Sequence, residues 1–329
     1  MTFPWSTPTW KAWCRLGERL PHAVLIHAGE GMGVFEFAQD AARAALCERP
    51  RADRQACGAC PACNWFNQGN HPDYRLLVPE SMAPESEEGE GSARKEKRSE
   101  QIRIDQVRAL AGFLAVGTHR AGLRVILIYP AEAMNANTQN ALLRSLEEPP
   151  GATLFLVVST RPDRLLATVR SRCLKFALPV PDAELASKWL KDQGVPRPAA
   201  ALALAGGAPL SALNLAETDA ERRQFLEGLK HPGADPIALA ERSHRVPLPE
   251  LVTWLQRWGY DLLLSRIAGR VRYHVDDEQA IADASRRCEP AEIAAYLRGL
   301  AQARALAGHP LNAKLFIEDL LLQYQKLFV

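Results

Sequence analysis

An apolar run from Ala23 to Ile26 leads into Ala28-Gly29-Glu30-Gly31-Met32-Gly33-Val34-Phe35, after which a helical pattern begins. Glycines at alternate positions between a strand and a helix constrain the chain to a tight loop whose backbone N–H groups can wrap phosphate. A working loop of this kind also needs a Lys for the outer phosphates and a Ser or Thr for magnesium. Val34 and Phe35 stand in those places. Gly29, Gly31 and Gly33 thus keep a nucleotide-binding architecture without its chemistry, and the loop is expected to be non-functional.

The runs Ala23 to Ile26, Tyr74 to Val78, Arg124 to Ile128, Thr153 to Val158 and Leu174 to Ala177 read as strands. Helical composition between them covers Val34 to Leu46, Asp105 to Val116, Asn135 to Glu148 and Pro162 to Arg170, with Pro149-Pro150 as a stop. This alternation predicts a doubly wound α/β domain over 1–178. Residues 79–100 are rich in Glu, Ser, Gly, Lys and Arg, too polar to bury themselves, and read as a mobile surface loop.

Four of the seven cysteines, Cys47, Cys57, Cys60 and Cys63, form C-x9-C-x2-C-x2-C after the first sheet helix. Closely spaced thiolates suit tetrahedral Zn2+, and four protein ligands leave no open position for catalysis. A structural zinc module over 47–63 is expected, with a redox-active or unmetallated loop as the alternative. Cys14, Cys173 and Cys288 read as buried small residues.

A nucleotide-hydrolysing strand should end in acidic residues that hold magnesium and polarise water. Arg124 to Ile128 ends instead in Tyr129-Pro130, and the nearby Glu132 reads as a solvent-exposed carboxylate.

Past Pro179 amphipathic helices take over. Ala183 to Gln193, Pro198 to Ala205 and Leu210 to Glu217 make a small helical domain within 179–217, and longer helices fill 218–329. Leu251, Trp254, Leu255, Trp258 and Leu262 share one face and read chiefly as core, with packing against neighbouring subunits as the alternative. Asn312 is the expected N-cap of the last helix, which runs to about Phe328.

The string Ala141-Leu142-Leu143-Arg144-Ser145-Leu146-Glu147-Glu148-Pro149-Pro150, the strand after it, Ser171-Arg172-Cys173 and the four-cysteine insertion resemble bacterial clamp-loader subunits. The resemblance spans essentially the whole chain. It implies an AAA+ sheet domain, a helical lid and an all-α collar that joins a ring. The ring loads the sliding clamp onto primed DNA within the DNA polymerase III holoenzyme, whose polymerase activity resides in other subunits. Implied partners are the ATP-binding motor subunits, the clamp-opening subunit, the sliding clamp and DNA. Intact motors of the family carry Lys-Thr in the loop and Asp-Glu at the strand end. This chain departs at both places, so ATP is not expected to be hydrolysed at its own site. The family's sensor arginine would fall near Leu210, which points the same way. Arg172 matches the arginine finger that one subunit projects into its neighbour's ATP site, where a forked, permanently charged guanidinium bridges phosphate oxygens; a structural Arg paired with an acid is the alternative.

Two readings from other classes are a self-sufficient ATPase motor and a zinc-dependent DNA-binding module drawing on arginines between Arg242 and Arg304. The formal net charge of +2 gives no general electrostatic case for DNA binding. No apolar run is long enough for a membrane span. The start, Met1-Thr2-Phe3-Pro4-Trp5, lacks a signal-peptide pattern, and a cytoplasmic location is expected.

Overall fold

In the computed structural model, the described residues are 3–17, 20–83, 98–119, 122–149, 151–217, 219–231 and 233–328. The chain divides into two compact units, Met1–Asp182 and Ala183–Val329.

The first unit holds one parallel sheet of β1 (Ala23–His27), β2 (Tyr74–Leu77), β3 (Arg124–Ile128), β4 (Thr153–Ser159) and β5 (Leu174–Ala177). The order is β2-β3-β4-β1-β5. β3 and β4 are buried along their whole length, as expected when helices cover both faces of a parallel sheet. The helices are α1 (Thr7–Leu16), α2 (Val34–Leu46), α3 (Pro61–Asn67), α4 (Ile104–Ala115), α5 (Ala136–Glu147) and α6 (Ala167–Arg172). β1 lies between β4 and the edge strand β5, so the loop after it emerges at the sheet's carboxyl edge, where α/β folds gather ligands.

Two stretches depart from the sequence reading. The helix expected over Pro162 to Arg170 is split into a 3-10 turn, Pro162–Arg164, and α6. Gln139 explains the break: its side-chain oxygen accepts the Leu166 N–H at 2.7 Å while its amide donates to the Met134 carbonyl at 2.9 Å, holding the link in place. In the segment read as a mobile loop, residues 84–97 lie outside the described residues, as does Pro150. The flanks are tied: Ser81 N–H donates to the Ser99 carbonyl at 3.1 Å, Ser99 N–H to Glu80 at 3.2 Å, and Arg103 pairs with Glu80.

The second unit is wholly helical: α7 (Ala183–Asp192), α8 (Pro198–Leu204), α9 (Pro209–Glu217), α10 (Asp219–Leu229), α11 (Pro236–Ser243), α12 (Leu248–Ala268), α13 (Glu278–Ser285), α14 (Pro290–Leu306) and α15 (Ala313–Gln325). It contains two apolar clusters. Ala186, Leu190, Leu202 and Ala212 make a small one from α7 to α9. The larger takes in the whole expected stripe of α12, Leu251, Trp254, Leu255, Trp258 and Leu262. Arg197 joins the two groups through ion pairs to Asp219 and Asp276. At the centre of the larger cluster Trp258 Nε1 donates to the Tyr324 hydroxyl at 2.9 Å, which donates to the Leu229 carbonyl at 2.9 Å. Buried Asp261 accepts N–H groups from Arg272, Tyr273 and His274 and faces His274 Nδ1 at 2.9 Å, fixing the turn after α12. Asn312 caps α15 by accepting the Leu315 N–H. No single helix among the described residues is long and apolar enough to cross a membrane.

Candidate functional site

The glycine loop adopts the shape its sequence demands. Gly31 and Gly33 have φ of 75° and 82°, the left-handed region that glycine enters without a Cβ penalty. Gly33 caps α2, with its carbonyl accepting the Phe37 N–H at 3.0 Å. Gly29 is not held by crowding, since a Cβ there would meet only the Met32 side chain at 3.7 Å. Gly33 is different: a Cβ would lie 2.7 Å from the Phe3 ring. Phe3 stacks on Trp5 with ring centroids 4.7 Å apart, and Trp5 Nε1 donates to the Met32 carbonyl at 3.2 Å. The N-terminal segment thus lies directly against the phosphate loop.

The positions that would hold magnesium are filled from the protein itself. Phe35, in the place of the loop hydroxyl, stacks on Tyr129 at the end of β3, with centroids 4.5 Å apart and ring planes 22° from parallel. Burial raises the Tyr129 hydroxyl pKa, and the carboxylates of Glu36, Glu132 and Glu30 raise it further. A polyphosphate entering here meets a neutral phenol, an aromatic stack and three acids where a functional site offers an ammonium and a dication.

Glu132 is not the solvent-exposed carboxylate its sequence position suggested. Oε1 accepts from both the Thr160 backbone N–H, at 3.0 Å, and the Thr160 hydroxyl, at 2.7 Å. Oε2 is buried without a partner among the described residues. The short 3-10 turn Ala131–Ala133 swings this side chain back across the sheet edge to the end of β4, which a linear reading could not anticipate.

Cys47, Cys57, Cys60 and Cys63 converge. Their sulfurs all lie within 4.8 Å of one another, with the 47–60 and 57–63 pairs each 3.9 Å apart. Zinc–thiolate bonds of about 2.3 Å in a tetrahedron require sulfur–sulfur edges of about 3.8 Å, so the residues fit the ion. Amide N–H groups already point at the sulfurs: Cys57 N at Cys47, Ala59 N and Cys60 N at Cys57, and Cys63 N at Cys60, at 3.3 to 3.4 Å. Those from Ala59 and Cys60 draw the Cys57 thiol down to about 6, whereas burial pushes Cys63 up to about 12. α3 starts at this cluster, with Cys60 as its N-cap. Of the other cysteines, Cys173 and Cys288 are buried as expected. Cys14 is not; half-exposed on α1, it donates its S–H to the Asp53 carbonyl at 3.7 Å.

Arg172 ends α6 on the surface. Nη1 donates to the Thr168 carbonyl at 2.9 Å, and Nη2 pairs with Glu147 at the end of α5. The ALLRSLEE string and the SRC motif are thereby joined by an ion pair within the chain. The site contacts that sequence reasoning missed are those of Phe3, Trp5 and Thr160. For the first two the signal was a proline-spaced aromatic pair at the chain start; for Thr160 there was none.

Fold and site together define an α/β protein built on a five-stranded parallel sheet, with a glycine loop joining β1 to α2. A family profile described as "DNA polymerase III, delta subunit" matches residues 15–182. The DNA polymerase III subunit delta' of Pseudomonas aeruginosa is 37% identical, covering 99% of this chain and 98% of that protein. The subunit of the same name from Escherichia coli K12 is 30% identical over 98% of this chain and 95% of its own. A solved Thermotoga maritima protein related to the DNA polymerase III gamma subunit covers 98% of this chain and all of its own, at 17% identity and a TM-score of 0.39. The chain belongs to the family of DNA polymerase III delta' subunits.

Proposed function

We propose that this chain is the non-hydrolysing subunit of a DNA polymerase III clamp loader, assisting ATP-dependent loading of the sliding clamp onto primed DNA. The observation that carries the reading is the Phe35–Tyr129 stack under a loop sealed by Phe3. A chain with this family membership and a filled nucleotide site contributes structure, not turnover. In this reading the first unit is a degenerate AAA+ domain. Residues 179–217 form its lid, and residues 218–329 form the collar through which it joins the motor subunits and the clamp-opening subunit. Arg172 is the finger given to a neighbour's ATP site, with Glu147 as its resting partner. Cys47, Cys57, Cys60 and Cys63 hold structural Zn2+, which cross-links the insertion and supplies no catalysis because no coordination position stays open. The absence of a spanning helix and the replication role agree with a cytoplasmic location.

The test is equilibrium binding of a fluorescent ATP analogue to the isolated chain with magnesium, with hydrolysis followed in the same sample. No saturable binding at millimolar analogue and no turnover are expected. Turnover by the isolated chain would make it a motor and overturn the proposal.

A further inference from the structure

The four-cysteine insertion and the glycine loop are joined by a continuous set of contacts through α1. The stretch between Cys47 and Cys57 is held at both ends by metal-ligating positions, and its middle touches α1. Trp10 Nε1 donates to the Asp53 carbonyl at 2.9 Å, Cys14 Sγ reaches the same oxygen at 3.7 Å, and Arg54 Nη1 donates to the Cys14 carbonyl at 3.4 Å. The stretch is shaped for this task. Asp53 Oδ1 accepts the Gln55 N–H at 3.0 Å, Arg51 and Arg54 close a turn, and Arg54 has φ of 61°. No other non-glycine residue among the described ones has positive φ, and such a backbone persists only where its surroundings enforce it. Trp10 and Trp13 also meet Phe37 of α2 edge to face, at 6.1 and 6.0 Å. At the other end of the segment, Trp5 and Phe3 lie on Met32 and Gly33.

We infer that the four-cysteine module is a clasp: through Asp53 and Arg54 it holds α1, and through α1 it keeps Phe3 and Trp5 seated on the glycine loop. An excursion of nine residues has no apolar core of its own; closed by a metal its carbonyls become fixed acceptors, and open it samples many conformations. The clasp rests on the structural-metal reading only for its dependence on metal. Losing the ion then unseats the N-terminal segment and frees the first turn of α2, although no ligand of the ion touches either.

The experiment is hydrogen exchange by mass spectrometry on the full chain, comparing the zinc-loaded protein, the chelated protein and Trp10→Phe. The variant keeps an aromatic ring facing Phe37 and every thiolate, and removes the indole N–H to Asp53 together with the second ring of the indole. In both the chelated protein and the variant, exchange at residues 6–14 and 33–37 is expected to rise on the order of tenfold while strands 124–128 and 153–159 hold their protection. If the variant leaves 33–37 at the wild-type rate, or loosens those two strands equally, the clasp is overturned. Cobalt titration separates this from the metal reading. Failure to develop thiolate-to-metal absorption would remove the metal, while the Trp10→Phe comparison would still decide whether Asp53 holds the segment down.

Discussion

Gly33 shows how one missing Cβ decides the state of the site. Its φ of 82° admits few other residues, and a methyl group would strike the Phe3 ring at 2.7 Å. A non-glycine residue in this backbone region costs about 1 to 3 kcal/mol, and displacing a stacked ring adds to that. Gly33→Ala should therefore lower unfolding free energy by about 2 kcal/mol or more in urea titration, and by less when Phe3→Ala is already present. Equal effects in both backgrounds would mean that Phe3 does not rest on the loop. Glu132 carries the opposite lesson. Its carboxylate is used by Thr160, 28 positions along the chain, and Thr160→Val should reduce stability by about 0.5 to 1.5 kcal/mol, since it removes the hydroxyl donor while the backbone N–H still reaches Oε1.

At the scale of elements, the parts most legible in sequence are those fixed by local pattern. All five strands lie within one residue of the runs read from the sequence; β3 and β4, covered on both faces, are also nearly unbroken apolar stretches. The cysteine cluster was legible for the same reason, as spacing alone brings its sulfurs together. What was not legible depended on distant partners: the break before α6 is set by Gln139, α1 is seated by Asp53, and Phe3 ahead of it rests on Gly33. The cysteine module gives a pH prediction. Burial raises Cys63 and Cys47, so at neutral pH metal binding must displace their protons, even though Cys57 near 6 is largely ionised. Zinc affinity should thus fall as pH drops, most steeply once Cys57 also protonates below about 6. A chelator-competition titration between about pH 5.5 and 8.0, about two and a half orders of magnitude in proton activity, would read this, and pH-independent affinity would contradict four-thiolate ligation. In the second unit, Tyr324→Phe leaves both Trp258 Nε1 and the Leu229 carbonyl without their shared partner. A loss of about 1 to 3 kcal/mol is expected in urea unfolding.

For the whole molecule, a filled nucleotide site changes what the rest of the chain can be for. On the proposed reading, a subunit that neither binds nor hydrolyses ATP gains no differential energy from nucleotide, so ATP cannot shift it between two states. Its proposed contribution to a ring would then come from surfaces held in one arrangement, with Arg172 at the end of α6 as the proposed group acting across a boundary. In the free chain that guanidinium is occupied by Glu147, an exposed pair contributing at most about 1 kcal/mol to the fold. Such a weak partner can be exchanged for a neighbour's phosphate, to which a forked donor binds more strongly. Arg172→Ala should leave the unfolding midpoint of the isolated chain nearly unchanged, yet reduce DNA- and clamp-stimulated ATP turnover at the adjoining site of the assembled complex by about 10³. Glu147→Gln separates the two roles of that pair: a finger held in reserve keeps full stimulated turnover when the acid is neutralised, whereas an arginine whose task is to fix α5 to α6 loses its function with its partner. Stimulated turnover that survives Arg172→Ala would rule out the finger and leave the pair as an internal brace.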